Sequence, residues 1–279
     1  MPQRSVTLLS AGCDWITATQ EHGKEAEAIR EIALAIADSE MHMGMFGKPW
    51  RASGYEGFTC GHLEYGERHD GVIVQMHNHV SHSHWKRVYE LARNVSRFDL
   101  EITTATDEDA RWRVRRHLGQ MRRFNKGFKR PVMLEHKVSH NQGMTIYSGS
   151  PKSDVYLRIY DKDRESEESQ WARGVRFECQ FRRRMALAHS FSFYGASNVV
   201  SHAARTLRPI LQKRGVLYAG LKKFAVGSEI KISSPVRPAL NDVGRSLEWL
   251  GKSVAPTVDR LLHYTDRDMV LDALGLSVG

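Results

Sequence analysis

The feature that most constrains the fold is a two-residue alternation of apolar and polar side chains in three segments, residues 96–103, 154–162 and 175–182. This period is typical of β-strands, because successive side chains of a strand point to opposite faces of the sheet. We therefore expect three strands of one antiparallel sheet whose apolar face packs against helices. The apolar positions are Phe98, Leu100, Ile102, Val155, Leu157, Ile159, Val175, Phe177, Cys179 and Phe181.

The opposite face of these predicted strands combines carboxylates, phenols and guanidinium groups, as phosphodiester chemistry requires. Carboxylates bind hard cations such as Mg²⁺ or Mn²⁺, and arginine grips phosphate oxygens bidentately. A phenol, with an ordinary pKa of about 10, becomes a useful nucleophile only where a cation or a base assists its deprotonation. Surface strands with paired arginine and glutamate give the same pattern, so that interpretation stays open. The polar positions are Arg97, Asp99, Glu101, Thr103, Tyr156, Arg158, Tyr160, Lys162, Arg176, Glu178, Gln180 and Arg182.

The remaining sequence predicts an α+β fold, in which an antiparallel sheet is flanked by helices. Thr106 followed by Asp109 resembles a capping box that opens a helix. Two prolines and two serines at 233–238 indicate a linker, so we divide the chain into a main domain, 1–232, and a linker with a small helical tail, 233–279. The other expected elements are helices at 25–38, 83–93 and 107–125, a helix from about 203, a helical tail at 243–263, glycine-linked short strands at 43–71 and a strand at 72–76.

The charge balance favours a polyanionic partner. Lys and Arg number 41 against 32 Asp and Glu, a formal net charge of +9, and nucleic acid is the obvious candidate. Apolar stretches are shorter than the roughly 20 residues of a membrane span, and no signal core is present, so we expect a cytoplasmic protein without membrane association. The isolated Cys13, Cys60 and Cys179 indicate neither a disulfide framework nor a cysteine zinc site.

Two clusters of basic side chains add detail to this expectation. Residues 111–130 contain nine Lys or Arg residues, which on a helix and its following loop form a surface for phosphate contact. The expected contacting residues are Arg111, Arg115, Arg122 and Lys126. Histidines at 77, 79, 82 and 84 are interpreted as a solvated or DNA-facing turn, with metal binding as the alternative.

Three linked motifs carry a resemblance to a known family. They are GSPKSDVYLRIYDKDRE at 149–165, VRFECQFRR at 175–183 and SRFDLEIT at 96–103. In this order and spacing they resemble the replication initiation factor family (Rep_trans) of plasmid and phage rolling-circle initiators, which includes relaxases of some integrative elements. The resemblance covers approximately residues 10–225.

The resemblance implies roles for individual residues. The family's nicking tyrosine corresponds to Tyr160, with Arg158 and Lys162 beside it on the same strand, and Tyr156 is the rival nucleophile. The family's acidic metal ligands correspond to Asp99 and Glu178, which would hold Mg²⁺ or Mn²⁺. Thr103 stands where the family often has a second acid, so Glu101 is the additional candidate ligand. Lys152 and Arg176 extend the expected DNA-contacting set.

The implied reaction is a nick in one strand of origin DNA, single-stranded or in a cruciform or supercoiled duplex. The enzyme would keep a 5′-phosphotyrosyl link and release a 3′-OH that primes a host polymerase. A host helicase and a homodimer are further expected partners. A relaxase for conjugative transfer would use the same chemistry. The rival hypotheses from other classes are a non-catalytic, sequence-specific DNA-binding regulator and, without an aromatic RNA-recognition motif to support it, an RNA-binding protein.

Overall fold

The structure is a computed structural model that describes residues 6–92, 94–129, 131–139, 143–164 and 172–226. The predicted linker and helical tail, 233–279, lie outside the described residues, as does most of the charged segment 163–170. None of the described helices is long and apolar enough to span a membrane.

Strands and helices alternate irregularly along the chain. The strands are β1 (Thr7–Glu21), β2 (Lys48–Ala52), β3 (Tyr55–Cys60), β4 (Leu63–Arg68), β5 (Gly71–His77), β6 (Asn94–Ala105), β7 (Leu134–Val138), β8 (Met144–Ser148), β9 (Val155–Asp161) and β10 (Val175–Arg182). The helices are α1 (Lys24–His42), α2 (Asn78–Leu91), α3 (Ala110–Asn125), α4 (Arg183–Tyr194) and α5 (Val199–Gln212), followed by a 3₁₀-helix, Ala219–Lys223.

In the described part of the chain, all ten strands form one antiparallel sheet in the order β2-β3-β4-β5-β1-β6-β10-β9-β8-β7. The three strands with alternating polarity are therefore neighbours, as the sequence predicts. The register sets Glu178 of β10 opposite Glu101 of β6 on one side and Arg158 of β9 on the other. This confirms the α+β fold with an antiparallel sheet.

The apolar face of β6, β9 and β10 packs beneath helices. Phe98 lies 5.6 Å between ring centroids from Phe193 of α4, and Phe177 lies 5.5 Å from His117 of α3. Burying one such aromatic side chain stabilises the fold by roughly 1.5–3 kcal/mol. This face supplies much of the core because Phe98, Phe177 and most of their apolar neighbours are completely buried, with Val155 partly exposed.

The expected start of the helix near 107 is wrong. The helix α3 begins at Ala110, and its N-cap is Asp109, whose carboxylate accepts a hydrogen bond from the Trp112 amide at 2.9 Å. Thr106 instead accepts from the Glu108 amide at 3.2 Å, a local turn that competes with helix formation. Of the two residues that suggested a capping box, Asp109 therefore caps the helix and Thr106 stabilises the turn before it.

The histidine run does not form a turn. His77 ends β5, and α2 begins at the next residue, so His79, His82 and His84 all lie on this helix. The connection is made by Asn78, whose φ of 53° lies in the left-handed region that asparagine adopts more readily than most residues. The chain therefore passes from strand to helix without a loop.

Candidate active site

The polar face of β6, β9 and β10 is almost as buried as the apolar one. Four carboxylates lie at its base, and we call them the acidic floor: Asp14, Asp99, Glu101 and Glu178. The last three are 0% exposed. Buried acids require hydrogen-bonding or ionic partners, because transfer of an isolated carboxylate out of water costs several kcal/mol of free energy.

Tyr160 is hydrogen-bonded to the acidic floor. Its hydroxyl donates to Glu178 Oε2 at 3.1 Å, and Arg158 pairs with Glu178 Oε1. Burial raises the pKa of Glu178 to about 8, with Asp14 and Asp99 adding to the effect and Arg158 opposing it. Glu178 is therefore the carboxyl group that lies within hydrogen-bonding distance of the Tyr160 hydroxyl, and its pKa is far above that of an ordinary glutamate.

Arg176 links two acids at the centre of this face. Its Nη1 donates to Asp14 Oδ1 at 2.6 Å and its Nε donates to Thr103 Oγ1 at 2.9 Å, with Glu101 Oε2 at 3.4 Å. It is only 3% exposed. The structure thus places Arg176 inside the ionic network and not on a DNA-facing surface, where the sequence suggested a contact.

The remaining acids differ in how completely they are satisfied. Asp99 accepts two bonds from the Arg97 side chain, at 3.0 Å from Nε and 2.5 Å from Nη2. Glu101 Oε2 accepts from Thr103 Oγ1 at 2.9 Å and from Ser10 Oγ at 3.2 Å. Glu101 Oε1, however, is buried without a hydrogen-bond partner among the described residues. Among the described residues, it is the one fully buried carboxylate oxygen of the acidic floor without a hydrogen-bond partner.

Asp14 and His82 join the site without having been predicted. A bulge between Cys13 and Trp15 in the pairing of β1 with β6 brings Asp14 to the polar face. His82 of α2 lies with Nε2 3.8 Å from Asp14 Oδ1 and 3.6 Å from Glu101 Oε1. Although burial opposes it, the proximity of His82 and the charge of Arg176 hold the pKa of Asp14 well below its usual range.

The expected metal ligands fit a cation in chemistry but only partly in arrangement. Within the described ranges, no three His, Cys, Asp or Glu side chains are arranged so that they could hold a metal ion. Asp99 and Glu178 are occupied by guanidinium groups, whereas Glu101 keeps the oxygen without a partner. Carboxylate oxygens suit Mg²⁺ or Mn²⁺. An ion at Glu101 Oε1 would remove the free-energy cost of burying this oxygen without a partner.

Comparison with known proteins identifies the family. The family model for replication initiation factors matches residues 93–274, which is more than half of the chain. The chain belongs to the replication initiation factor family. No curated protein matches it. A solved rolling circle replication initiator protein from Geobacillus stearothermophilus superposes with a TM-score of 0.55 at 17% identity, covering 82% of this chain and 99% of that one. The latter likeness shows a shared fold.

In this replication initiation factor, Tyr156 has different surroundings from Tyr160. Its ring stacks on Tyr147 of β8, with centroids 5.8 Å apart and planes at 18°. Burial is the main factor that raises the pKa of Tyr156, and the register opposite Gln180 gives it no carboxylate directly across β10. Lys162 follows β9 immediately, and its amide donates to the Gly174 carbonyl at 2.9 Å.

The basic segment of this family member is divided between surface and core. Helix α3 exposes Arg115 and Arg122, and Lys126 is exposed just after it, while Arg111 is partly covered. Lys152 is exposed in the turn before β9. Arg113 is fully buried and donates to the Thr104 carbonyl at 3.1 Å and to the Tyr218 hydroxyl at 2.9 Å. It ties the end of β6 to the segment after α5, so it is unavailable for phosphate contact.

The other histidines of the run make structural contacts beside the site. His77 stacks on Trp15 with centroids 4.6 Å apart, and its Nδ1 lies 3.2 Å from His62 Nδ1. His79 Nε2 lies 2.8 Å from Glu40 Oε1. Only His82, of the four, reaches the acidic floor.

Proposed function

We propose that this replication initiation factor nicks one strand of origin DNA through Tyr160 and thereby initiates rolling-circle replication. The observation that carries the proposal is the hydrogen bond from the Tyr160 hydroxyl to a buried glutamate, at 3.1 Å, on a face that also holds Arg97 and Arg158. A nucleophile, an adjacent base and cations for phosphate are the minimum parts of a tyrosine strand transferase.

The reaction follows from these parts. As the Tyr160 oxygen attacks the scissile phosphorus, its proton passes to Glu178. The new bond joins the phenolic oxygen to phosphorus, and the bond from phosphorus to the 3′-oxygen breaks. The departing oxygen takes up a proton from water and becomes the 3′-OH primer, which leaves a 5′-phosphotyrosyl link. Attack by a 3′-OH on that link reverses the steps and recloses a strand.

Arg158 and Arg97 are assigned to the phosphate in this scheme. Each is about a quarter exposed, so its guanidinium borders the acidic floor on the solvent side. Arginine donors in a fork bind two phosphate oxygens at once and stabilise charge that develops on them. Lys162, directly after the nucleophile strand, is proposed to add positive charge near the phenolate.

A divalent cation is part of the proposal. Mg²⁺ or Mn²⁺, when bound, would polarise the phosphate and neutralise its charge. The acids from which it would draw ligands are Asp99, Glu101 and Glu178, of which Glu101 has an oxygen with no hydrogen-bond partner in the described structure. Use of Asp99 or Glu178 would require Arg97 or Arg158 to move onto the DNA.

Family membership and the fold shared with a rolling circle replication initiator support this proposal. We further propose origin DNA, single-stranded or extruded in a supercoiled plasmid, as the substrate, with a host helicase and polymerase acting afterwards. A relaxase of a mobile element would use the same residues.

The test is covalent adduct formation on candidate origin oligonucleotides and supercoiled plasmid with Mg²⁺ or Mn²⁺. Wild type, Tyr160→Phe and Tyr156→Phe are compared on a denaturing gel. We expect a protein–DNA adduct that disappears with Tyr160→Phe and persists with Tyr156→Phe. Tyr156→Phe is the matched control because it also removes one hydroxyl from β9. Loss only with Tyr156→Phe would transfer the nucleophile role to that residue.

A second candidate function is a DNA-binding regulator without nuclease activity. The observation that favours it is the pairing of Asp99 and Glu178 with arginines, which also stabilises a catalytically silent site. Specific DNA binding without any adduct, in the presence of either cation, would support this function over nicking.

A further inference from the structure

We infer that Trp15 is a positioning residue that holds Arg97 in place for a phosphate of single-stranded DNA. The inference rests on the proposed function, in which Arg97 binds the phosphate, and adds to it a neutral side chain on β1. Trp15 is half-buried and lies opposite Asp99 of β6. It lies outside the three motifs of the central strands and outside the matched residues 93–274.

Arg97 lies over the indole ring of Trp15. Its guanidinium carbon is 3.8 Å from the ring centroid, well within the roughly 6 Å over which the face of an aromatic ring attracts a cation. The edge of the same guanidinium group donates to Asp99, from Nε at 3.0 Å and from Nη2 at 2.5 Å. A ring on one side and a carboxylate at the edge together fix the position of Arg97.

The indole ring is itself held by neighbours on β1 and β5. Trp15 Nε1 donates to Thr17 Oγ1 at 3.1 Å, and His77 stacks on the ring with planes at 15°. Because β5 and β6 flank β1 on opposite sides, His77 and Arg97 cover opposite faces of the indole. Burial, with His62 adding to it, lowers the pKa of His77 to about 4, so this imidazole is neutral at pH 7 and does not repel Arg97.

An aromatic support suits an arginine that has to exchange one anionic partner for another. The N–H groups of a guanidinium all lie in its plane, whereas an aromatic ring is contacted through the face. Arg97 can therefore release Asp99 and donate to two phosphate oxygens while Trp15 still supports it. Since Arg97 and His77 occupy both faces of the indole, Trp15 offers no free face on which a DNA base could stack.

A second arginine of the chain provides a matched comparison. Arg68 lies 4.5 Å from the ring centroid of Tyr55 and donates to Asp70, two residues along, as Arg97 donates to the aspartate two residues along from it. Asp70 is exposed in the turn between β4 and β5, and two strands separate β4 from β6. Loss of the Tyr55 ring therefore tests the general effect of removing the support of an arginine, whereas loss of the Trp15 ring tests Arg97.

The experiment measures binding of a fluorescein-labelled single-stranded oligothymidylate by the full chain, without divalent cations, from fluorescence anisotropy at a series of salt concentrations. Wild type is compared with Trp15→Leu, Trp15→Phe, Arg97→Gln and the double variant of Trp15→Leu with Arg97→Gln. Tyr55→Leu is the matched control. Thermal melting verifies each fold, and Trp15→Met, which also lacks a ring, replaces Trp15→Leu if that variant does not fold.

We expect loss of the neutral Trp15 ring to reduce the slope of log affinity against log salt by about 0.7, the value of one phosphate contact on a single strand. Arg97→Gln should reduce the slope equally. The double variant should bind within about 2-fold of Arg97→Gln, because Trp15 acts through Arg97. Trp15→Phe, which keeps a ring, should retain most of the wild-type slope, and Tyr55→Leu should retain all of it.

Weaker binding by Trp15→Leu with an unchanged slope would overturn the inference, as would additive losses in the double variant. Because binding is measured without cleavage, the outcome is independent of the nicking reaction. Coupling between Trp15 and Arg97 in a protein that forms no DNA adduct would support the inference and refute the proposed nicking. Absence of coupling in a protein whose adduct requires Tyr160 would refute the inference alone.

Discussion

The two faces of β6, β9 and β10 are similarly buried and chemically opposite. On one face, Cys179 of β10 lies opposite Leu100 of β6 and packs beneath helices. One residue along, on the other face, Glu178 lies opposite Glu101. The first pair gains free energy by leaving water, whereas the second brings two buried acids together and depends on arginines and hydroxyl donors for its stability.

This contrast indicates that the polar face serves function more than stability. A buried ion pair is about neutral, or worse, compared with apolar residues of the same volume, so stability alone does not explain the network. Burial raises the pKa of Glu178, and the like charges of Asp14 and Asp99 raise it further. Such arrangements are typical of sites that move protons or bind cations.

Removal of Arg176 should produce the largest effect. Arg176→Met keeps much of the side-chain volume but leaves Asp14 and Glu101 without their shared cation, and breaking a buried pair in this way costs about 3–5 kcal/mol. The matched change on the apolar face, Leu157→Met, should cost less than about 1.5 kcal/mol. Urea denaturation at pH 7.5 measures both free energies of unfolding. Equal stability of the two variants would contradict the distinction between the faces.

The sequence predicted the central strands well because their alternation is local and regular. Residues 96–103, 154–162 and 175–182 correspond closely to β6, β9 and β10, and the side chains that share a face were identified correctly. Alternation shows which side chains point the same way. It does not show what covers them, so the burial of Arg176 was not foreseen.

Features that depend on tertiary structure were missed. Asp14 reaches the site because of a bulge in β1, and His82 reaches it because α2 packs against β1 near Gly12. Neither feature produces a periodic pattern in the sequence. The histidine run suggested a turn, although Asn78 allowed helix formation to begin at once. Helix α4 begins directly after β10 at Arg183, which adopts a positive φ of 54°, so no polar loop marked its start.

A titratable residue beneath the apolar face gives the second prediction. His189 of α4 stacks on Phe181, with ring centroids 3.5 Å apart, and burial, with His202 adding to it, lowers its pKa to about 3. Only the neutral form suits this site. The unfolded chain binds a proton below pH 6.5, so stability should fall as the pH drops from that value toward 3.

For His189 alone the loss at pH 5 should be about 2 kcal/mol. His189→Leu should therefore reduce the difference in unfolding free energy between pH 7.5 and pH 5 by that amount. Leu187, exposed on the same helix, serves as the control, since Leu187→Gln changes no titratable group and should leave the difference unchanged. A pH dependence that His189→Leu does not alter would mean that this face accepts a charged imidazole.

The smallest expected effect concerns arginines of α3, which lie on neither face of β6, β9 and β10. Helix α3 packs on the apolar face, with His117 against Phe177, and exposes Arg115 and Arg122 on its outer side. Arg122 Nη2 lies 3.4 Å from His136 Nδ1 of the edge strand β7. DNA that touches both α3 and Tyr160 must therefore reach both sides of the sheet.

Phosphate contacts at α3 should affect affinity but not chemistry. The double variant Arg115→Gln and Arg122→Gln should lower the slope of log affinity against log salt by about two, one per lost contact. Adduct yield at saturating DNA should stay at the wild-type level, because neither arginine belongs to the polar face. Lys24→Gln, an exposed change on α1, is the control for general charge. Fluorescence anisotropy from 50 to 300 mM salt measures the slope, and an unchanged slope would remove α3 from the DNA path.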